Sequence, residues 1–351
     1  MNDISAIDGA AGAPADGAPA DGAPDMSGVA DVSGVAAPKT LSSAPRTVLY
    51  LFLVLLGVIL AAYYRLRTDS LFGCQAAGYS ADRFLAYCQT DGYGDFDHGA
   101  FWFKLEPEAA RAAAASQVLF LGNSRLQYGF STAATHEWFA QNSRSYYLLG
   151  LAYGAQVVFH QALLQRLGAH PRVYIINLDA FFGSHLSGPA DMVMHDPGAL
   201  SHYRTKRFWQ TLHRAVCGRV AALCGNSYAI FRNRGSGVWQ PSGAISANEA
   251  ISYLPKADEA EAAREAVAAR KFLTTLGVDP RCVIFTLVPT VDTPQLTSAA
   301  IAAAVKVDFV APQIDDLLTF DGSHLDRMSA ERWSDQFFDA AGPKIRQCLG
   351  H

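Results

Sequence analysis

The chain has 351 residues, half of them apolar, and a formal net charge of -4. This length allows one large domain or two small ones, and the slight acidity argues against a general nucleic-acid binder. We therefore expect a folded protein without a nucleic-acid partner.

The N-terminal segment, residues 1–46, is rich in alanine, glycine, proline and aspartate and contains no aromatic residue. Its five-residue unit Ala13–Gly17 is repeated unchanged as Ala18–Gly22. Such a composition cannot bury enough apolar surface to offset the entropy lost on ordering. The segment is predicted to be a disordered tail.

A charge-free apolar run follows from Val48 to Tyr64, and we place one transmembrane anchor at 47–64. As a helix rising about 1.5 Å per residue, the run would span roughly 25 Å, slightly less than a typical hydrocarbon core. It begins too far from the N-terminus for an ordinary cleaved signal, and no convincing small-x-small cleavage site follows it. A retained anchor is favoured over the alternative, a buried core helix.

The cysteines indicate the side of the membrane on which the rest of the chain lies, because basic residues flank the apolar run at both ends and leave its orientation open. All six follow the run: Cys74, Cys88, Cys217, Cys224, Cys282 and Cys348. An even number of cysteines suits an oxidising compartment such as the bacterial periplasm. We predict a single-pass protein of the bacterial inner membrane with a periplasmic domain.

The sequence allows fifteen complete cysteine pairings. Cys282 and Cys348 are expected at the same end of the sheet. Cys217 and Cys224 would lie about 10 Å apart along an unbroken helix, so they can pair only if the helix breaks, for example at Gly218. No cysteine pair has the short spacing of a zinc knuckle and the histidines lack close ligand spacing, so neither a metal nor a cofactor is expected.

Residues 65–115 are interpreted as a juxtamembrane linker region, and residues 116–351 as one domain of alternating strands and helices. The predicted strands are Val118–Leu121, Tyr146–Leu149, Val173–Asn177, Val283–Leu287 and Val305–Val310. The predicted helices are Ala155–Leu167, Ala257–Leu276 and Ser329–Ile345. This alternation predicts an α/β fold with a doubly wound parallel sheet, in which ligands bind beyond the carboxyl ends of the strands.

Two motifs at predicted strand and helix ends suggest a catalytic triad. Ser124 follows the first strand in Leu119-Phe120-Leu121-Gly122-Asn123-Ser124-Arg125, and Asp321-Gly322-Ser323-His324 precedes the last helix. A serine hydroxyl becomes nucleophilic when an imidazole takes its proton, and a carboxylate fixes the tautomer of that imidazole. We therefore predict Ser124, His324 and Asp321 as catalytic residues. The alternative is that Ser124 caps a helix and that His324 is a surface histidine.

The motifs Gly122-Asn123-Ser124 and Asp-x-x-His resemble the SGNH (GDSL-like) hydrolase and acyltransferase superfamily, over about 116–345. With Tyr128-Gly129-Phe130-Ser131, the chain looks most like membrane-anchored bacterial members that acylate or deacylate cell-surface polymers. The resemblance implies a flavodoxin-like five-stranded sheet. Asn123 stands where the family has aspartate.

The resemblance also implies which residues hold the oxyanion. Backbone N–H groups of Ser124 and Gly154 are two expected donors, and the third position falls on Asn177 or Asp179 because the alignment there is ambiguous. A carboxylate at that position would oppose the developing negative charge. Both residues could instead cap the turn. Arg125 is a candidate substrate-binding residue that could equally order the turn.

An insertion at about 183–256 carries a basic segment, since Pro197–Asn248 contains no acidic residue. It has seven basic residues: Arg204, Lys206, Arg207, Arg214, Arg219, Arg232 and Arg234. Its apolar residues recur at helical spacing: Phe208, Leu212, Val216, Val220 and Leu223. The stripe could rest on anionic lipid, bind the membrane domain of a partner, cover the active site, or pack on the domain beneath a solvated basic face.

The features together predict a membrane-anchored serine O-acyltransferase or esterase. It would act on acyl esters, with acetyl the expected group, of a cell-surface polysaccharide, beside a multi-pass membrane acyltransferase as partner. The alternative is a non-catalytic scaffold or polymer-binding subunit that keeps the same fold in an envelope polysaccharide complex.

Overall fold

The computed structural model describes residues 44–152, 154, 156–242 and 249–350. The chain divides into two units, with the boundary between Val54 and Leu55. Within the described residues, the first unit holds only the beginning of helix α1, which runs over Ala44–Asp69. The predicted tail up to residue 43 lies outside the described residues.

Helix α1 is long and apolar enough to cross a membrane, and it is the one such helix in the part of the chain that the structure describes. Its 26 residues correspond to a length of about 39 Å. None of its apolar window is buried, which excludes the buried core helix. The charge-free run lies inside this helix, which continues beyond the run to Asp69.

The remaining elements belong to the second unit. The helices are α2 (Asp97–Trp102), α3 (Pro107–Ala115), α4 (Ser124–Phe130), α5 (Ala133–Gln141), α6 (Val157–Leu167), α7 (Gly188–His195), α8 (Ala199–Cys217), α9 (Glu259–Leu273), α10 (Gln295–Val305) and α11 (Arg327–Leu349). The strands are β1 (Arg83–Cys88), β2 (Gly94–Asp95), β3 (Val118–Asn123), β4 (Tyr146–Leu151), β5 (Val173–Asn177), β6 (Ala229–Asn233), β7 (Trp239–Ser242), β8 (Glu249–Ala250), β9 (Val283–Thr286), β10 (Asp308–Phe309) and β11 (Leu318–Thr319).

Five strands form a parallel sheet in the order β10-β9-β5-β3-β4. Counted along the chain from the β4 edge, the order is 2-1-3-4-5. The predicted α/β fold with a five-stranded parallel sheet is confirmed. Parallel strands end at the same edge of a sheet, so the carboxyl ends of β3, β4 and β5 lie next to one another.

Both faces of this sheet are covered, which explains why its strands are continuous apolar runs. Along β3, Leu119 and Leu121 belong to a core shared with Phe159 of α6. The alternate residues Val118 and Phe120 face a second core with α11. Successive side chains of a strand point to opposite faces, so an apolar run without alternation is what two covered faces require.

The fifth strand is shorter than the predicted Val305–Val310. Val305 is the last residue of α10, and Lys306 caps that helix in a left-handed conformation (φ 59°). Only Asp308 and Phe309 pair with β9. The apolar pattern there contains a helix end and a strand, which periodicity alone does not separate.

The segment interpreted as a linker is folded into the second unit. Strand β1 lies in an antiparallel sheet of order β2-β1-β6-β7, whose other long strands come from the insertion. Phe84, Phe96 and Phe101 of this segment are fully buried. The segment and the insertion therefore complete one another, which local sequence patterns do not indicate.

A buried ion pair joins the two sheets at the free edge of β4. Arg232 on β6 donates to the carbonyls of Leu148 (2.8 Å) and Gly150 (2.5 Å), and to the carboxylate of Asp97 (3.0 Å). Burial raises the pKa of the Asp97 carboxyl to about 6, even though the Arg232 charge opposes that rise. Arg232 thus satisfies edge carbonyls and is not part of a solvated basic face.

All six cysteines form disulfides: Cys74–Cys88, Cys217–Cys224 and Cys282–Cys348. Helix α8 ends at Cys217 with Gly218 as its cap, so the Cα atoms of Cys217 and Cys224 approach to 5.9 Å. The condition for a Cys217–Cys224 pair, a helix that breaks at Gly218, is therefore met. Cys282 and Cys348, which were expected at the same end of the sheet, are also paired.

Helix α8 packs through a different face from the apolar stripe. Its buried residues are Ala199, Tyr203, Gln210, His213 and Cys217. Phe208 and Leu212 are exposed, and Val220 and Leu223 lie beyond the end of the helix and are also exposed. The alternative in which this stripe packs on the domain is therefore wrong.

Candidate active site

The turn that presents Ser124 begins where β3 ends. Gly122 lies so close to β5 and α4 that an added Cβ would be 3.0 Å from the Cβ atoms of Asn177 and Leu126, which explains the glycine. Asn123 then caps α4, because its side-chain oxygen accepts a hydrogen bond from the Arg125 N–H at 3.0 Å. Ser124 is consequently the first residue of the helix, at the carboxyl edge of the sheet.

The Asp-x-x-His loop is a tight turn between β11 and α11. Asp321 Oδ1 accepts hydrogen bonds from the backbone N–H groups of Ser323 (3.0 Å) and His324 (2.9 Å). The Phe320 N–H donates to the His324 carbonyl at 3.0 Å and closes the loop. A three-residue spacing therefore places the carboxylate against the imidazole of the same turn.

The structure brings Ser124, His324 and Asp321 together, although the serine and the histidine are 200 residues apart in sequence. His324 Nε2 lies 2.8 Å from Ser124 Oγ, and His324 Nδ1 lies 2.8 Å from Asp321 Oδ2. A proton on Nδ1 directed at the carboxylate leaves Nε2 free to accept the serine proton. The arrangement can therefore generate a nucleophilic serine.

The carboxyl of Asp321 is suited to hold its charge. Partial burial raises its pKa, but the hydrogen bond and charge of His324 and the two backbone N–H donors outweigh burial, so the pKa is lowered. An ionised Asp321 stabilises the imidazolium that forms when His324 takes a proton.

Two aromatic rings hold the His324 imidazole, and neither was predicted as a site residue. Phe320 stacks on it with ring centroids 5.5 Å apart, and Tyr128 packs at 4.7 Å. The Tyr128 hydroxyl in turn hydrogen-bonds with that of Tyr228. Tyr128 is one helical turn after Ser124, and Phe320 directly precedes Asp321. Their closeness in sequence to the two motifs could have indicated that they belong to the site.

Arg125 connects the serine turn to the histidine loop. Its Nε donates to Ser323 Oγ at 2.9 Å, and its Nη1 pairs with the carboxylate of Asp179. Asn123 Nδ2 also donates to that carboxylate. The charge of Asp179, beside the serine turn, is thus balanced by Arg125. Through these contacts Arg125 orders the turn.

The two predicted backbone donors to the oxyanion, Ser124 and Gly154, lie in different local structures. The Ser124 N–H lies at the start of α4, where a helix does not use its own N–H groups. Gly154 is exposed in the loop after β4 with φ 64°, a left-handed conformation that favours glycine.

Neither candidate for the third donor, Asn177 or Asp179, presents a side-chain amide at the surface. Asn177 is 1% exposed, its Oδ1 accepts from the Val288 N–H at 2.9 Å, and its Nδ2 is buried with no partner among the described residues. Asp179 is occupied by Arg125 and Asn123. The backbone N–H groups of Ser124 and Gly154 therefore stay the predicted donors.

A groove of about 730 Å³ opens beside the triad. Tyr128 and Phe320, which contact the His324 ring, also line the groove, together with Trp239. Its wall carries charges of both signs, since Arg83 and Arg327 line it together with Asp326 and Glu331. Aromatic faces and hydrogen-bonding groups together suit a large polar ligand.

One cluster in the described residues has donor types that bind metals. The ligand atoms of His213, Cys217 and Cys224 lie within 4.8 Å of one another. The two sulfurs form a disulfide, and the His213 ring nitrogens contact Tyr79 Oη and the Cys74 carbonyl, each at 3.2 Å. A disulfide lacks the thiolates that bind zinc, so this cluster does not fit a metal while the bond is intact.

No family model matches the chain, and neither a curated protein nor a solved structure matches it.

Proposed function

We propose that this chain is a membrane-anchored, extracytoplasmic serine esterase or O-acyltransferase of the SGNH type. The carrying observation is the pair of 2.8 Å contacts, from His324 Nε2 to Ser124 Oγ and from His324 Nδ1 to Asp321 Oδ2. The strand order 2-1-3-4-5 is the flavodoxin-like one and supports the assignment. So does the serine at the carboxyl end of the first strand of that sheet.

The geometry supports a two-step acyl transfer through Ser124. Ser124 Oγ attacks the carbonyl carbon of an acyl ester while His324 Nε2 takes its proton, and the N–H groups of Ser124 and Gly154 stabilise the oxyanion. The proton then passes from His324 to the departing alcohol, which leaves an acyl-serine. Water in the second half-reaction makes the protein an esterase, whereas a sugar hydroxyl makes it a transferase.

The acceptor that we propose is a cell-surface polysaccharide, with acetyl as the expected acyl group. The groove lined by Tyr128, Trp239 and Phe320 is open and adjoins the His324 ring, so it can hold part of a long polar chain. Helix α1 would keep the domain at the inner membrane, and the three disulfides suit the periplasm. A multi-pass partner would supply acyl groups, because one helix cannot move them across a bilayer.

A fluorophosphonate probe tests the proposal, because only an activated serine reacts with it. The full chain should label, and Ser124→Ala should reduce labelling to background without changing the melting temperature. His324→Ala should be nearly as damaging, since the hydroxyl then has no base. Asp321→Asn should lower the rate by on the order of 10² to 10⁴.

Ser323→Ala is the matched control, because this serine lies in the same site but contacts Arg125 and not His324. It should still label. If the folded wild-type chain fails to label while it binds polysaccharide, the catalytic proposal is wrong and the polymer-binding scaffold replaces it.

A further inference from the structure

Helix α8 and the turn after it expose a line of large apolar side chains. We call this line the outer stripe; it comprises Phe208, Trp209, Leu212, Val220 and Leu223, whose exposed fractions are 63%, 43%, 37%, 48% and 42%. Phe208 and Trp209 contact each other with ring centroids 5.6 Å apart. The opposite face of the helix is packed, so this is a two-sided helix with its second apolar side uncovered.

Four exposed arginines accompany the outer stripe: Arg204, Arg207, Arg214 and Arg219. Acidic side chains are absent from Pro197 to Asn248, so nothing within the segment neutralises them. Outside the segment, Glu106 and Glu108 line one cavity with Arg207 and Arg214. Large aromatic and aliphatic residues beside exposed arginines are typical of a helix that lies in the plane of a membrane interface.

The outer stripe ends where the membrane helix leaves its apolar run. Tyr63, at the end of that run, donates a hydrogen bond to the Ala222 carbonyl at 3.0 Å. The segment that follows α1 also contacts the segment that follows α8, since the Gly225 N–H donates to the Phe72 carbonyl at 2.7 Å. Phe72 also packs on His213 on the inner face of α8, with centroids 5.6 Å apart.

The Cys217–Cys224 disulfide keeps this end of α8 in position, because it folds the 218–223 turn back onto the helix. Val220 and Leu223, which lie on either side of Ala222 in this turn, are therefore held near the Tyr63 contact. Tyrosine is enriched at the membrane–water boundary, which places the end of the outer stripe at that depth.

We propose that the outer stripe is a membrane-docking surface that inserts between the headgroups of an anionic phospholipid bilayer. The inference rests on the proposed role of α1 as the membrane anchor. The apolar side chains would enter the boundary with the acyl chains, and the four arginines would pair with lipid phosphates. A lone span lets a domain turn freely, whereas this second contact fixes which face of the domain meets the bilayer.

The outer stripe contains its own reporter, Trp209. The full chain is reconstituted in nanodiscs whose lipids carry brominated acyl chains, which quench tryptophan at the bilayer boundary. Fluorescence of Trp209→Phe is subtracted from that of the wild type to isolate Trp209. We expect most of the Trp209 signal to be lost in phosphatidylglycerol discs and much less in phosphatidylcholine discs.

Variants separate the two components of docking. Phe208→Ser with Leu212→Ser should restore the Trp209 signal, and so should Arg204→Gln with Arg207→Gln. Val267→Ser is the matched control, because Val267 is an exposed apolar residue (65%) on α9, outside the outer stripe. That control should leave the quenching unchanged.

If the brominated lipids leave Trp209 unquenched and aqueous iodide quenches it equally in both discs, the proposal is wrong. A protein partner would then be the better occupant of the outer stripe. Equal quenching in both lipids would overturn the role given to the arginines. Incorporation of the chain into discs and probe labelling of Ser124 are measured on the same samples. Failure of the anchor or of the triad is thereby distinguished from failure of docking.

Discussion

At the scale of single residues, Arg125 shows how a charged side chain can serve the site without touching the reacting atoms. Its guanidinium reaches Asp179 on one side and Ser323 on the other, so it spans from the end of β5 to the histidine loop. Asn123 belongs to the same network, since its side-chain amide donates to the Asp179 carboxylate.

We predict that Arg125→Ala lowers stability by about 1–3 kcal/mol, because it leaves the half-buried Asp179 carboxylate without its cation. The double variant with Asp179→Ala should recover much of that loss. A double-mutant cycle of melting temperatures and of kcat and KM measures the coupling. A rise in KM that the second substitution does not relieve would instead show that Arg125 binds substrate.

At the scale of elements, α8 contains cations of two kinds. Lys206 Nζ donates to the Asp95 carbonyl at 2.7 Å and lies over the rings of Tyr93 and Tyr203. Burial lowers its pKa, which the charge of Asp95 partly offsets. Arg204 and Arg207, in contrast, are exposed. The basic residues of the insertion, treated as one group in the sequence, therefore lie in different environments.

We predict that Lys206→Gln lowers the melting temperature by roughly 2–8 °C, because it removes a partly buried hydrogen bond and two ring contacts. Arg204→Gln with Arg207→Gln should leave that temperature nearly unchanged, since exposed charges contribute little to stability. Thermal unfolding of the detergent-solubilised full chain distinguishes the two. Equal losses in both variants would contradict the division of α8 into a packed and a docking face.

At the scale of the whole molecule, the cysteines indicate the compartment of the second unit. All six lie after the apolar run and all are paired, which an oxidising compartment allows. The Cys282–Cys348 bridge closes the longest loop, with a sequence separation of 66. It ties Cys282, directly before β9, to the end of α11. Loop-closure entropy predicts that this bridge stabilises most.

We predict that a reporter active only in the periplasm is active when fused after His351. A matched fusion with a reporter active only in the cytoplasm should be silent. The opposite pair of results would place the domain in a reducing compartment and contradict both the localisation and the disulfides.

Local sequence patterns were sufficient for several features. The charge-free length predicted the apolar helix, continuous apolar runs predicted a sheet covered on both faces, and the order of the Ser124 and His324 motifs predicted that they meet at one sheet edge. Each of these depends on composition, periodicity, or the rule that parallel strands end at one edge. None requires knowledge of a distant contact.

Only the tertiary structure decided which segments complete one another. The pairing of β1 with β6, the burial of Arg232 against the β4 edge, and the outward direction of Phe208 and Leu212 all depend on contacts between residues far apart in sequence. An apolar stripe on a helix and a cationic side chain on a strand look the same in sequence whether they are buried or exposed. Their partners determine the difference, and those partners come together only when the chain has folded.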